Sequence, residues 1–143
     1  MFNKKLLSST DEERLIKAIH SAESKTSGEV RVHIEATCDG DALEACKKMF
    51  GTLNMHQTKN RNGILFFLAI KSRSFAVWGD EGIHKKVTEE FWEGITECTI
   101  GYFKRHDLIS GLEKAVEMCG EQLQHHFPLE HDDKDELSNE ISY

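Results

Sequence analysis

The sequence reads as a single α/β domain, a three-layer α/β/α sandwich around a small mixed β-sheet. Three features point there. Residues 64–70, Ile-Leu-Phe-Phe-Leu-Ala-Ile, form an apolar run with no polar break, as expected of a strand covered on both faces. Residues 29–36 alternate polar and apolar at period two, the pattern of a half-buried strand nearer an edge. Segments with apolar residues at spacings of three and four precede, separate and follow these strands, which supplies helices for both faces. With 143 residues, 38% of them hydrophobic, the chain has the size of one domain and enough apolar surface for a core.

Taken in order, the first helix is predicted over residues 10–25. A capping box, Thr10-x-x-Glu13, opens it, and Leu15, Ile16, Ile19 and Ala22 share a face. Thr26-Ser27-Gly28 ends it, and the alternating strand follows. After Thr37-Cys38-Asp39-Gly40, the spacing of Leu43, Cys46, Phe50 and Leu53 predicts a helix, the simplest crossover to a parallel second strand. A mostly polar stretch, residues 54–62, leads to Gly63 and the apolar run. Lys71-Ser72-Arg73-Ser74 then separates that run from Phe75-Ala76-Val77-Trp78-Gly79, a hairpin pattern that makes the third strand antiparallel to the second. Beyond Asp80, Val87, Phe91, Trp92, Ile95, Ile100 and Phe103 recur at mainly helical spacing. Leu108, Leu112, Ala115, Val116, Cys119 and Leu123 predict a last helix, stopped by Pro128.

This divides the chain into an N-terminal segment 1–9, a domain 10–127 and an acidic tail 128–143. Residues 129–143 hold six carboxylates and one lysine, so most of the formal charge of −7 sits there. So polar a tail offers too little apolar surface to offset ordering costs of about 1–2 kcal/mol per residue, and it is expected to be disordered. The net negative charge repels a phosphate backbone, which argues against nucleic acid as a partner. No apolar run approaches the roughly 20 residues of a membrane-spanning helix, so no membrane insertion is expected. Residues 1–7 begin like a signal peptide, but Ser8-Ser9-Thr10-Asp11-Glu12-Glu13 leaves no apolar stretch after them, so a cytoplasmic location is the expectation. Four cysteines without a C-x-x-C pair fit reduced thiols, with Cys46 and Cys119 on apolar helix faces.

The strand directions decide which loops meet. The start of the first strand (Gly28, Glu29), the start of the second (Asn62, Gly63) and the end of the third (Gly79, Asp80, Glu81) belong at one end of the sheet. Two carboxylates about 5 Å apart repel by roughly 3 kcal/mol at an effective dielectric near 20, and a cation would relieve this. Oxygen donors suit calcium or magnesium better than zinc, so Glu29, Asn62, Asp80 and Glu81 are the candidate metal ligands. The plainer alternative makes Glu29 the first residue of a strand and Asp80 the cap of the next helix.

Other constellations are weaker. His125, His126 and His131 invite a metal reading, but adjacent helical residues point about 100 degrees apart, which favours solvated histidines. Lys134-Asp135-Glu136-Leu137 is not C-terminal and so is not a retention signal. Asp39-Gly40-Asp41 is similar to the nucleophile loop of aspartate phosphatases, yet Leu43 stands where those enzymes carry a hydroxyl. Neither a phosphate-binding G-x-x-x-x-G-K-[ST] loop nor a G-x-S-x-G elbow is present.

Thr26-Ser27-Gly28-Glu29-Val30-Arg31-Val32, Arg61-Asn62-Gly63-Ile64-Leu65-Phe66-Phe67, Phe75-Ala76-Val77-Trp78-Gly79-Asp80-Glu81-Gly82-Ile83 and Phe91-Trp92, in this order and spacing, resemble the TPM-domain family over residues 10–127. The resemblance implies an α/β/α sandwich around a small mixed sheet, divalent-cation binding, particularly of calcium, and in some members weak acid-phosphatase activity. The family includes a thylakoid-lumen protein linked to photosystem II repair. Many members carry an export signal and a membrane anchor, often with a glycine-rich tail, none of which is recognisable here, so the chain looks like a short, soluble branch, which counts against the membrane-associated and photosynthetic roles. Glu29, Asn62, Asp80 and Glu81 match motif positions, whereas Asp39 and Asp41 do not and fall at the opposite end of the sheet. The expectation is a divalent-cation-binding module, with weak metal-assisted phosphatase activity as the alternative. The acidic tail suits a basic protein partner as a third reading.

Overall fold

In the computed structural model, residues 6–129 and 141–143 are described. The chain runs α1 (Ser9–Glu23), β1 (Glu29–Glu35), α2 (Ala42–Thr52), a 3-10 turn (Met55–Gln57), β2 (Gly63–Ala69), β3 (Ser74–Gly79), α3 (Glu81–His84), α4 (Glu89–Lys104) and α5 (Leu108–His126). The sheet order is β1-β2-β3, with β1 parallel to β2 and β2 antiparallel to β3. Helices cover both faces, as the sequence predicts.

All seven residues of β2 are buried. Its side chains alternate between two cores. Ile64, Phe66 and Leu68 join Val30, Val32, Ile34 and Val77 against Leu15, Ile95, Leu112 and Val116 from α1, α4 and α5. Leu65, Phe67 and Ala69 join Ala76 against Cys46, Phe50 and Met55. Each fully buried side chain of this size contributes roughly 1.5–3 kcal/mol relative to exposure, so the central strand supplies an apolar contribution to both layers at once. Burial pushes the Cys46 thiol up to about 12 and raises that of Cys119 as well, so both stay protonated and behave as core residues.

Four details differ from the pattern reading. The cap of α1 is Ser8, whose hydroxyl accepts from the Asp11 N–H (3.1 Å), because Ser8 holds the extended backbone a cap needs and Thr10 already lies in the first turn. Leu43 and Ile100 keep helical spacing but face outward, and Val87 falls between α3 and α4. Met55, within the polar stretch, is fully buried. The packed body is also wider than residues 10–127. Leu7 joins the large core, and Ile141 does so from the far end of the acidic tail. Disorder through the whole tail is therefore corrected at residues 141–143. Ser142 donates to the Val32 carbonyl (3.0 Å) and accepts from the Ile34 N–H (2.8 Å), while the Tyr143 hydroxyl donates to Glu12. The free edge of β1 offers unpaired backbone groups, and pairing with them orders this short stretch. Residues 1–5 and 130–140, including all six tail carboxylates, Lys134-Asp135-Glu136-Leu137 and His131, lie outside the described residues.

Helix α1 crosses α5 at Ala22 and Gly120, where a Cβ on residue 120 would stand 2.7 Å from the Ala22 methyl and 2.9 Å from its Cα. No such neighbour surrounds Gly101 in α4. Gly120→Ala should therefore destabilise by about 1–3 kcal/mol through overpacking, whereas Gly101→Ala should stabilise by about 0.5–1 kcal/mol through helix propensity. Urea unfolding midpoints of the two variants check the opposite signs.

Candidate functional site

The strand register assembles one end of the sheet. Glu29 of β1 stands opposite Gly63 of β2, and the Asp80 N–H donates to the Gly63 carbonyl (2.9 Å), so Glu29, Gly63 and Asp80 share one level across three strands. Glu29 and Asp80 are 2% and 4% exposed. At strand spacings near 4.8 Å, their backbones lie about 9–10 Å apart, with no side chain from residue 63 between them. The Met55 carbonyl lies 3.3 Å from where a Cβ on residue 63 would sit, which adds a neutral oxygen near the same point.

Local chemistry fixes each group. The Glu29 N–H donates to the Asn62 carbonyl (3.4 Å), and the next residue's N–H, on Val30, donates to Glu23 at the end of α1 (2.7 Å). Asn62 is fully buried. Its N–H donates to the Thr58 hydroxyl (3.3 Å) and its side-chain amide to Ser27 (3.2 Å), while its Oδ1 has no hydrogen-bond partner among the described residues. Such a buried acceptor costs free energy until something donates to it or coordinates it.

Asp80 caps α3 by accepting from the Glu81 N–H (2.8 Å), so the plainer reading of this residue holds. It also accepts a forked pair from Arg61, at 2.7 Å from Nε and 2.9 Å from Nη2. Arg61 reaches Glu81 as well, at 3.3 Å. The hydrogen bond to Asp80 and the charges of Asp80 and Glu81 raise the Arg61 pKa, so the guanidinium stays charged.

Arg61 is the site residue that pattern reading passed over, although it adjoins Asn62. Its φ of 50° is left-handed, a conformation that costs a side-chain-bearing residue about 1–2 kcal/mol. The Gly82 N–H donates to the Arg61 carbonyl (2.8 Å) and secures that loop. A Cβ on residue 82 would lie 2.1 Å from the Asn60 carbonyl oxygen, so only glycine fits beneath.

The four expected ligands are thus split by depth. Asp80 and Glu81 line a surface depression of about 450 Å³ with Phe50, His56 and Arg61, while Glu29 and Asn62 lie beneath the surface and do not line it. Among the described residues, no three His, Cys, Asp or Glu side chains are grouped closely enough to hold a metal ion as they stand. The cation next to Asp80 is a guanidinium. At the opposite end of the sheet, Asp41 caps α2 by accepting from the Leu43 N–H (2.9 Å), a structural role for the residue that invited a phosphatase comparison. No helix among the described residues is long and apolar enough to cross a membrane.

Comparison with known proteins follows the same lines. The sequence model of one family, the TPM domain, matches residues 2–122. The NMR structure of the BA42 protein from the psychrophilic bacterium Bizionia argentinensis is similar at 35% identity and TM-score 0.88, covering 99% of this chain and 97% of that one. Two N-terminal domains share the fold. That of a P. gingivalis protein has TM-score 0.65 at 23% identity, covering 88% of this chain and 83% of that one. That of cg2496 from Corynebacterium glutamicum has TM-score 0.61 at 15% identity, covering 91% and 84%. No curated protein matches.

If the Arg61 fork compensates the buried Asp80 charge, the two residues are coupled. Arg61→Gln should lower the urea midpoint, and Asp80→Asn should cost less in that background than in the native chain. Four unfolding curves test this, and additive midpoints would contradict the pairing.

Proposed function

The chain belongs to the TPM domain family, and from that premise we propose that it is a module that binds a divalent cation, calcium or magnesium, at the sheet end formed by Glu29, Asn62, Asp80 and Glu81. The observation that carries this reading is the meeting of two buried carboxylates at one strand level, beside a buried amide oxygen without a donor among the described residues. Hard cations take six or more oxygen ligands and tolerate a mixture of carboxylate, amide, carbonyl and water. The residues fit that donor set. Glu81, 58% exposed on its side chain and held by Arg61 at 3.3 Å, can swing toward Asp80 without disturbing the core once that guanidinium leaves.

In this reading the cation displaces the Arg61 fork, since a dication arriving at Asp80 repels the guanidinium already held on both of its oxygens. With 43% of its side chain exposed, Arg61 has solvent to move into. The exchange favours a regulatory or binding role over turnover, because the incoming charge first replaces one already present. A catalytic role would use the bound cation to polarise a phosphoryl oxygen and activate water.

An amide NMR titration of metal-free protein with calcium, then magnesium, tests the reading. Saturable shifts centred on Glu29, Asn62 and residues 80–82, abolished by Asp80→Asn, are the expected result. Shifts confined to the tail or to the loop around Asp39 and Asp41 would refute it.

A further inference from the structure

The sheet has two edges, and they differ. At β1, the backbone of Ser142 pairs with Val32 and Ile34. At β3, no strand pairs with Ser74–Gly79 on the side away from β2 among the described residues. The Asp80 N–H bond to Gly63 sets the phase of the antiparallel ladder, which turns the backbone groups of Ser74, Ala76 and Trp78 toward β2. Those of Phe75, Val77 and Gly79 turn outward.

Phe75, Val77 and Gly79 line a groove of about 530 Å³ between the start of α2 and the flank of α4. Trp78 and Trp92 give it aromatic walls, and four carboxylates, Asp41, Glu89, Glu93 and Glu97, lie along it. The three glutamates follow at successive intervals of four on α4, a spacing at which like charges destabilise a helix. His84 lies 3.5 Å from Glu89, and no ion pair reaches Glu93 or Glu97 among the described residues. The Lys47 ammonium lies 4.7 Å from the Trp78 ring centroid, so that indole already receives a cation. The indole N–H of Trp92, a residue 8% exposed, is buried without an acceptor among the described residues.

We propose that the outer edge of β3 is a docking site for an extended, lysine- or arginine-rich segment of a partner protein, which adds to the sheet as a fourth strand. The backbone of the segment would pair with Phe75, Val77 and Gly79. Because side chains alternate along a strand, basic residues at every second position would face the glutamates of α4. A second copy of this chain is the poorer occupant. Its own β3 edge carries the same carboxylates, and a two-fold pairing would set them against each other.

The test uses the full chain labelled with nitrogen-15 and an eight-residue peptide of alternating lysine and threonine. Saturable amide shifts at residues 75–79 and 89–97 are expected. Affinity should fall at least tenfold for the same peptide N-methylated at alternate amides, which removes strand pairing but keeps the charge. It should fall as far in the Glu93→Lys/Glu97→Lys variant, whose exposed positions leave the core untouched. Shifts centred on residues 130–140 or on the Glu29 and Asp80 end of the sheet would overturn the proposal. So would undiminished binding of the methylated peptide, unchanged affinity in the variant, or the absence of saturable shifts.

Discussion

A strand without a polar side chain can exist only between two covering layers, and β2 imposes that condition on the whole chain. Its seven buried residues send alternate side chains into two cores, so one amphipathic helix face would leave half of them in water. The chain meets the condition unequally. Helices α1, α4 and α5 build the larger core on one side, and α2 with the Met55–Gln57 turn builds the smaller one on the other. Placing β2 in the middle also fixes what lies at its ends. Gly63 becomes the point at which β1 begins and β3 finishes, and the residues around it are brought together by register rather than by local sequence.

The features that sequence made readable were those written in a period. An unbroken apolar run, an alternating strand and helical spacing gave the elements, and a four-residue polar link set the direction of β3. From the strand directions alone, Glu29, Asn62 and Asp80 could be assigned to one end of the sheet. Features that depend on a partner distant in sequence were not readable. The fork from Arg61 to Asp80 crosses nineteen positions. Met55 is buried because the turn that carries it folds over Gly63, and nothing in the polar stretch around it announces that contact. The docking of Ile141 and Ser142 was hidden in the same way. Composition describes the tail as solvated, whereas the edge of β1 gives its last residues specific backbone partners.

The sheet end combines two demands that oppose each other. Burying Asp80 and Glu29 excludes water and makes their charges costly, which is the condition under which a cation gains most by arriving. The folded chain must be stable with these carboxylates buried, and Arg61 contributes by placing its guanidinium on Asp80 from a surface loop held over Gly82. Because Arg61 is tethered but solvent-facing, the compensation is removable. The left-handed backbone at Arg61 fits the same picture, since the loop accepts strain in order to aim the side chain.

The central claim is that a divalent cation takes the place of Arg61 at Asp80. The most direct measurement follows the Arg61 Nε–H resonance by NMR while calcium is added to the native chain. Displacement predicts that this signal leaves its hydrogen-bonded position and moves toward that of a solvated guanidinium, saturating together with the amide shifts of Asp80 and Glu81. Saturable calcium binding with the Arg61 signal unmoved would contradict exchange at this carboxylate.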